Sequence, residues 1–396
     1  MPQGKHILPI IVFAQFCCTS LWFAGNAVMD DLLIVFDLEI TALGHLTSAV
    51  QVGFICGTLI FALLTIADRF SPSKVFFYCA VIGAMANLGM VREGNSLESL
   101  LLIRFFTGVA LAGIYPVGMK IASDYYREGL GTSLGYLVGA LVLGTAFPHL
   151  LKTFAGTGDL PWKMVVFCTS LLAAVGGLLI LFFVPDGPYR QPMLKKDFSA
   201  FFSVFKLKEF RAAAFGYFGH MWELYAFWAF VPLVLAVYQQ VHPQMELNIP
   251  LLSFLIIGSG GLACVAGGYI SQRSGTKRTA ATALLLSGLC CLLSPIFLLQ
   301  NSELMLLFFL IFWGLMVVAD SPLFSTLIAQ NAPEEARGTA LTIVNSIGFT
   351  TTIFSIQLLN FLALHFSPFY LFLFLAPGPA IGLFFLFRRK RIHWVT

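Results

Sequence analysis

Four ionisable residues sit inside long apolar stretches: Arg104, His220, Glu223 and Asp320. A charge at the centre of a bilayer costs roughly 2.5–3.5 kcal/mol on insertion scales, so such residues are expected to face a wet cavity or one another. His220 and Glu223 are spaced i, i+3 and share one helical face. Counted from Ala212, they lie roughly 12–17 Å along the helix, near mid-membrane. Desolvation and a nearby cation act on a carboxyl in opposite directions, so this pair can load and release a proton. His-x-x-Glu also hints at a metal, but no second ligand cluster accompanies it, and neither a metal nor a cofactor is expected. Asp320 is the only other acid well inside an apolar run. It is a candidate second protonation site, an ion-pair partner or a gate residue. Arg104 lies about 8–9 Å below the outer start of its helix. It can grip an anion bidentately, pair with an acid or snorkel outward.

Polar and aromatic residues repeat at helical spacing around these charges. Gln15, Thr19, Trp22 and Asn26 fall at i, i+4, i+7 and i+11, a stripe expected to point inward. The competing reading is hydrogen bonding between helices. Tyr115 follows Arg104 in the same apolar run, and Trp313 precedes Asp320 by seven residues. Trp22 and Trp313 are expected to sandwich a bound solute. Lys120 is expected to snorkel at the inner end of its helix, and Asp30 and Asp31 to be solvated at the outer end.

The elements that hold these residues follow from composition. The chain has 396 residues, 58% hydrophobic and 11% charged, with a mean hydropathy of +0.87. A soluble domain carries roughly 25% charged residues. Lipid is the solvent that accommodates the excess, and backbone in lipid must be helical or closed into a barrel. The alternating pattern of a barrel is absent. Twelve spans are predicted, near 7–29, 43–64, 75–91, 99–121, 131–153, 162–184, 212–237, 250–270, 279–298, 304–328, 339–363 and 369–387. The first reads as a retained span with no cleavage site. The eight cysteines all lie in apolar runs, without metal or disulfide spacing.

Segment 185–211 separates two six-span halves, 1–184 and 212–396. With the N-terminus inside, Lys and Arg residues gather on the cytoplasmic side, among them Arg69, Lys74, Arg190, Lys195, Lys196, Arg273, Lys277 and Arg388. Only Arg92, Lys152 and Lys163 fall outside. Both termini are therefore expected in the cytoplasm, and the basic linker and tail suit an anionic leaflet. The halves repeat each other. Gly108 with Pro116 matches Gly314 with Pro322 at an offset of 206, which indicates a duplicated six-helix bundle.

Ala67-Asp68-Arg69 with Lys74, after the second span, resembles the loop motif of the major facilitator superfamily, with Leu64 and Ser71 in place of two glycines. The second-half copy keeps Gly268, Arg273, Gly275, Lys277 and Arg278, with Gln272 in place of the acid. The resemblance covers the whole chain. It implies an all-α membrane protein of twelve helices in two pseudo-symmetric bundles, which moves small solutes by alternating access, usually as a monomer. It further implies that Asp68 faces the start of the eleventh span near Gly338, that Arg69 meets Asp124, and that Gln272 and Arg273 form a weaker latch. Spans one, four, seven and ten would line the path. Arg104-x-x-x-Gly108 matches a second family pattern. The glycine-rich fifth-span motif of drug/proton antiporters is only partial, with Gly135, Gly139 and Gly144.

Together these features predict a proton-coupled carrier of a small solute, with an organic anion favoured by Arg104. Substrate contacts are expected from Gln15, Trp22, Asn26, Arg104, Tyr115 and Trp313, proton handling from His220, Glu223 and Asp320, and a cytoplasmic gate from Asp68, Arg69, Asp124, Gln272 and Arg273. A drug or siderophore exporter and a membrane sensor are the alternatives. No enzyme motif is present. Minimal loops without a glycosylation sequon fit a bacterial inner membrane.

Overall fold

The computed structural model describes residues 6–126, 130–155, 161–190, 204–333 and 337–388, and among them every regular element is a helix. Eleven stretches are long and apolar enough to cross a membrane. They are Ala42–Leu63, Pro72–Val91, Leu97–Tyr125, Ser133–Phe154, Trp162–Phe183, Lys208–Val241, Ile249–Ser274, Thr276–Leu298, Glu303–Asn331, Ala340–Ala363 and Pro368–Phe387. The first span is the twelfth. It is broken into Ile7–Thr19, Ala24–Ala27 and Met29–Val35.

The break in the first span leaves carbonyls at its C-terminal end without intrahelical partners. Span seven, Lys208–Val241, is longer at both ends than its apolar core suggests, because its polar ends extend beyond the apolar run. Span twelve begins as a 3₁₀ helix, Pro368–Leu375, and becomes α-helical only at Pro377–Phe387. Residues 191–203, with Pro192, Lys195 and Lys196, lie outside the described residues.

Spans four and ten bend at equivalent places. Leu97–Ala112 gives way to Tyr115–Tyr125 just before Pro116. Glu303–Ala319 gives way to Ser321–Asn331 just before Pro322. Proline lacks an N–H, and its ring disfavours helical geometry in the residue before it, so each proline ends one helix and starts the next. Asp320 is the junction residue in span ten.

The repeat also sets the packing. A Cβ on Gly108 would run into the carbonyl oxygen of Val50, and one on Gly314 into that of Ile256. Val50 and Ile256 are separated by the same 206 residues as the glycines. Spans two and four thus touch backbone to backbone in one bundle, as spans eight and ten do in the other.

The two bundles meet along two pairs of spans. Spans five and eight approach closely at Gly139 and Gly261, where a Cβ on either would sit 3.0 Å from the other's carbonyl oxygen. Tyr136 and Tyr269 bring their hydroxyls to 3.3 Å on that seam. Spans two and eleven meet through hydrogen bonds between the start of span two and the C-terminal part of span eleven. Gln357 donates to the Gly44 carbonyl (3.0 Å) and to Ser48 Oγ (2.8 Å), and Asn360 donates to the Thr41 carbonyl (3.0 Å).

Candidate functional site

Span seven places its chemistry on one stripe: Tyr217, His220, Leu224, Tyr225 and Trp228, all buried. His220 and Glu223 share a face of the helix, but among the described residues no hydrogen bond or ion pair joins them. Each faces a different neighbour in the C-terminal bundle. Nδ1 of His220 lies 2.8 Å from Oδ1 of Asp320 on span ten. Glu223 accepts from Trp313 Nε1 (2.6 Å) through one oxygen and from Ser287 Oγ (2.9 Å) through the other. A side chain spaced i, i+3 shares a face, but a helix packed on several sides aims each member into its own crevice. Among the described residues, His220 Nε2 has no hydrogen-bond partner.

Trp313 does not face Trp22. It lies in the interior of the C-terminal bundle, with its ring 4.5 Å from Phe227 and 5.1 Å from Phe372. Its work is to donate to Glu223. Trp22 stacks instead on Phe349 of span eleven, with centroids 5.7 Å apart and planes at 23°. Tyr225 lies 5.7 Å from Trp22 and 5.4 Å from Phe349, and Phe54 lies 4.4 Å from Phe349. This aromatic cluster joins spans one, two, seven and eleven, and so both bundles.

The remaining first-span stripe disperses. Thr19 donates to the Gln15 carbonyl in its own helix (2.8 Å), and Asn26 donates to Thr47 on span two (2.8 Å). Gln15 packs against Gly118, and its amide atoms are buried without a partner among the described residues. Helical phase extrapolated from Gln15 fails beyond Thr19, where the helix ends. Asn26 therefore serves contact between helices, and Trp22 alone of the four reaches the aromatic cluster.

Arg104 is 1% exposed and carries no acid partner among the described residues. It donates to the Leu21 carbonyl (3.0 Å) and to the Trp22 carbonyl. The guanidinium thereby caps the broken end of the first helix, supplying the donors that the chain itself lacks there. The arginine fixes the backbone that carries Trp22, and it leaves a positive charge buried nearby.

Tyr115 begins the second helix of span four and lies near Tyr217 and Cys264. Tyr225 in turn lies near Tyr115 and Tyr217. Tyr217, Tyr225, Phe349 and Ser287 were not singled out in the sequence. Tyr217 and Tyr225 carry a signal there, the stripe they share with His220. Phe349 and Ser287 carry none, because apolar and small residues fill every span.

At the end of the bundle that carries the motif loop, Lys120 occupies the place expected for Arg69. Its Nζ lies 3.4 Å from Asp68 and 3.2 Å from Asp124. Lys120 therefore does not snorkel freely; it bridges two acids. Arg190 in the linker donates to the carbonyls of Asp68 (3.2 Å) and Phe70 (2.8 Å), Ser71 donates to Asp186 (2.6 Å), and Tyr125 donates to the Pro185 carbonyl (2.5 Å). The start of the linker is thus fastened to the motif loop. The expected seat of Asp68 at the head of span eleven borders residues 334–336, outside the described residues. Gln272 and Arg273 are exposed, and the second-half loop is tied only by Lys277 to Glu209 at 3.4 Å among the described ion pairs. At the opposite end of the bundle, Asp31 is not merely solvated: Lys152 reaches it at 2.5 Å.

The family model described as Major Facilitator Superfamily matches residues 11–260 and 213–395. The chain belongs to the major facilitator superfamily. It is thus a multi-pass membrane protein of a transporter family rather than of an enzyme family. Over 96% of its length it superposes on the proton:xylose symporter XylE, with a TM-score of 0.75 and 13% identity, covering 94% of that chain. It likewise superposes on the nucleoside transporter NupG, with a TM-score of 0.72 and 15% identity, over 96% of this chain and 98% of that one. Both likenesses establish the twelve-helix, two-bundle fold.

Among curated relatives, the 4-hydroxybenzoate transporter PcaK of Pseudomonas aeruginosa is 25% identical over 184 residues, 45% of this chain and 38% of that protein. The niacin transporter NiaP of Acinetobacter baylyi is 32% identical over 164 residues, 36% of each. The matched stretches span well under half of these relatives.

Proposed function

We propose that this protein is a proton-coupled secondary transporter that carries a small organic anion, an aromatic carboxylate, between its two bundles by alternating access. The observation that carries the proposal is the buried contact between His220 and Asp320 at the bend of span ten. A histidine and an acid held together away from water form a pair whose proton content can change with little else moving. Glu223, held by Trp313 and Ser287, is a second proton site. Arg104 supplies positive potential beside Trp22, which favours an anion. The relatives named for 4-hydroxybenzoate and niacin support the ring and the carboxylate. Division at 185–211, cytoplasmic termini, a bacterial inner membrane and a monomeric state complete the reading.

Proteoliposomes under an imposed pH gradient test it. Labelled 4-hydroxybenzoate or nicotinate should accumulate beyond the level in protein-free liposomes, and a protonophore should abolish the excess. Glu223→Gln should lose pH-driven accumulation while retaining exchange. Accumulation indifferent to the gradient would remove the proton, and net movement only outward would favour the exporter.

A further inference from the structure

Several hydrogen-bonding groups at the bundle seam have nothing to bond. Tyr217 and Tyr225 are 5% and 2% exposed, yet among the described residues their hydroxyls make no hydrogen bond. Tyr115 is half-buried, and among the described residues no hydrogen bond fixes its hydroxyl. Nε1 of Trp22 and Nε2 of His220 are fully buried and, among the described residues, without a partner. A buried donor without an acceptor costs free energy, and folded proteins seldom keep several together without a use.

These groups share one region. Tyr115 lies near Tyr217 and Tyr225 across the seam. Tyr225 lies against Trp22 and Phe349. The ring of Tyr217 is 6.0 Å from that of His220 and also packs on Gly348, next to Phe349. The donors thus come from spans one, four and seven, and flat aromatic faces border them. Arg104, by contrast, has already committed both terminal nitrogens to the Leu21 and Trp22 carbonyls.

We infer that Tyr115, Tyr217 and Tyr225 form the substrate-recognition site, reading a carboxylate through their hydroxyls while Trp22 and Phe349 cover a planar ring. The inference rests on the organic-anion reading above and deepens it. Hydroxyl donors suit a cargo that must also leave, because neutral donors hold a carboxylate less tightly than a buried guanidinium fork does. Arg104 acts as a positioning residue for Trp22 and does not itself clamp the carboxylate. The unpartnered Nε2 of His220 places the proton pair beside the same cargo.

Binding to the purified full-length protein in detergent tests this, with benzoate, 4-hydroxybenzoate and nicotinate as acids and with benzamide and nicotinamide as their neutral counterparts. Wild type should prefer each acid to its amide. Tyr217→Phe and Tyr225→Phe should each weaken acid binding by about ten-fold or more, the range for a hydrogen bond to a charged group, and should shrink the preference for acid over amide. Both variants should melt, without ligand, at the same temperature as wild type or higher, because each removes an unpaired hydroxyl. A purely structural tyrosine would lower the melting temperature and leave the acid-to-amide ratio unchanged. If wild type binds the acids and both variants bind them within two-fold of it, this site is wrong while the transport reading stands. If wild type binds none of the acids, both fall.

Discussion

Nδ1 of His220 lies 2.8 Å from Oδ1 of Asp320, at the residue where span ten stops one helix and begins another. The pair is buried on both sides, so removing one partner strands the other. His220→Ala should destabilise the protein by about 3–5 kcal/mol, as breaking a buried pair does elsewhere. Adding Asp320→Asn should recover much of that loss. Thermal unfolding of the two single variants and the double variant, read as a double-mutant cycle, checks this. Strictly additive losses would mean that the contact carries no coupling.

Asp320→Asn by itself keeps the size of the side chain and removes its titration. It should reduce pH-gradient-driven accumulation at least about ten-fold while leaving solute exchange at equal pH. Accumulation by the variant at the wild-type level would exclude Asp320 from coupling.

The glycines that let spans two and four, and eight and ten, touch should tolerate no methyl group. Gly108→Ala and Gly314→Ala each push a Cβ onto a carbonyl oxygen. Each should cost about 1–3 kcal/mol, the usual range for overpacking. Gly268→Ala is the contrast, since a Cβ there meets nothing within 4 Å. It should be neutral or slightly stabilising, because alanine favours a helix interior over glycine. Melting temperatures in detergent separate the two classes.

The cluster at the motif loop makes Lys120, not Arg69, the cation that joins Asp68 to Asp124. Lys120→Met should therefore slow transport more than Arg69→Met does. The stability change should stay small, about 0.2–1 kcal/mol, because the bridge is partly solvated. Initial uptake rates of both variants decide between them, and a larger defect in Arg69→Met would restore the arrangement that the motif implies.

Between the bundles, Asn360 and Gln357 tie span eleven to the start of span two. If the bundles rock, these bonds must break in each cycle. In a background without the eight native cysteines, Thr41→Cys with Asn360→Cys should be joined by a short thiol crosslinker, halting transport until the link is cleaved. Transport at full rate in the crosslinked protein would show that these ends of spans two and eleven need not separate.

Composition alone dictated a membrane protein. So apolar a chain, with so few charges, has no stable arrangement in water, and lipid forces its backbone into helices. The duplicated bundle was equally legible, because Gly108 with Pro116 and Gly314 with Pro322 keep their spacing whatever lies between them. The ionisable residues within the spans were visible as well, since such a group in an apolar run is conspicuous by its cost. Their partners were not. Helical spacing states which side chains share a face, but not which neighbouring helix fills the space opposite. His220 therefore turned to Asp320 and Glu223 to Trp313 and Ser287, while Lys120 took the place assigned to Arg69. The break after Thr19 was hidden too, because it depends on Arg104, eighty-three residues away from Leu21, supplying donors to carbonyls that the helix leaves bare. Local sequence sets periodicity and solvent. Only packing between distant spans decides which polar groups are satisfied, and which remain open for a ligand.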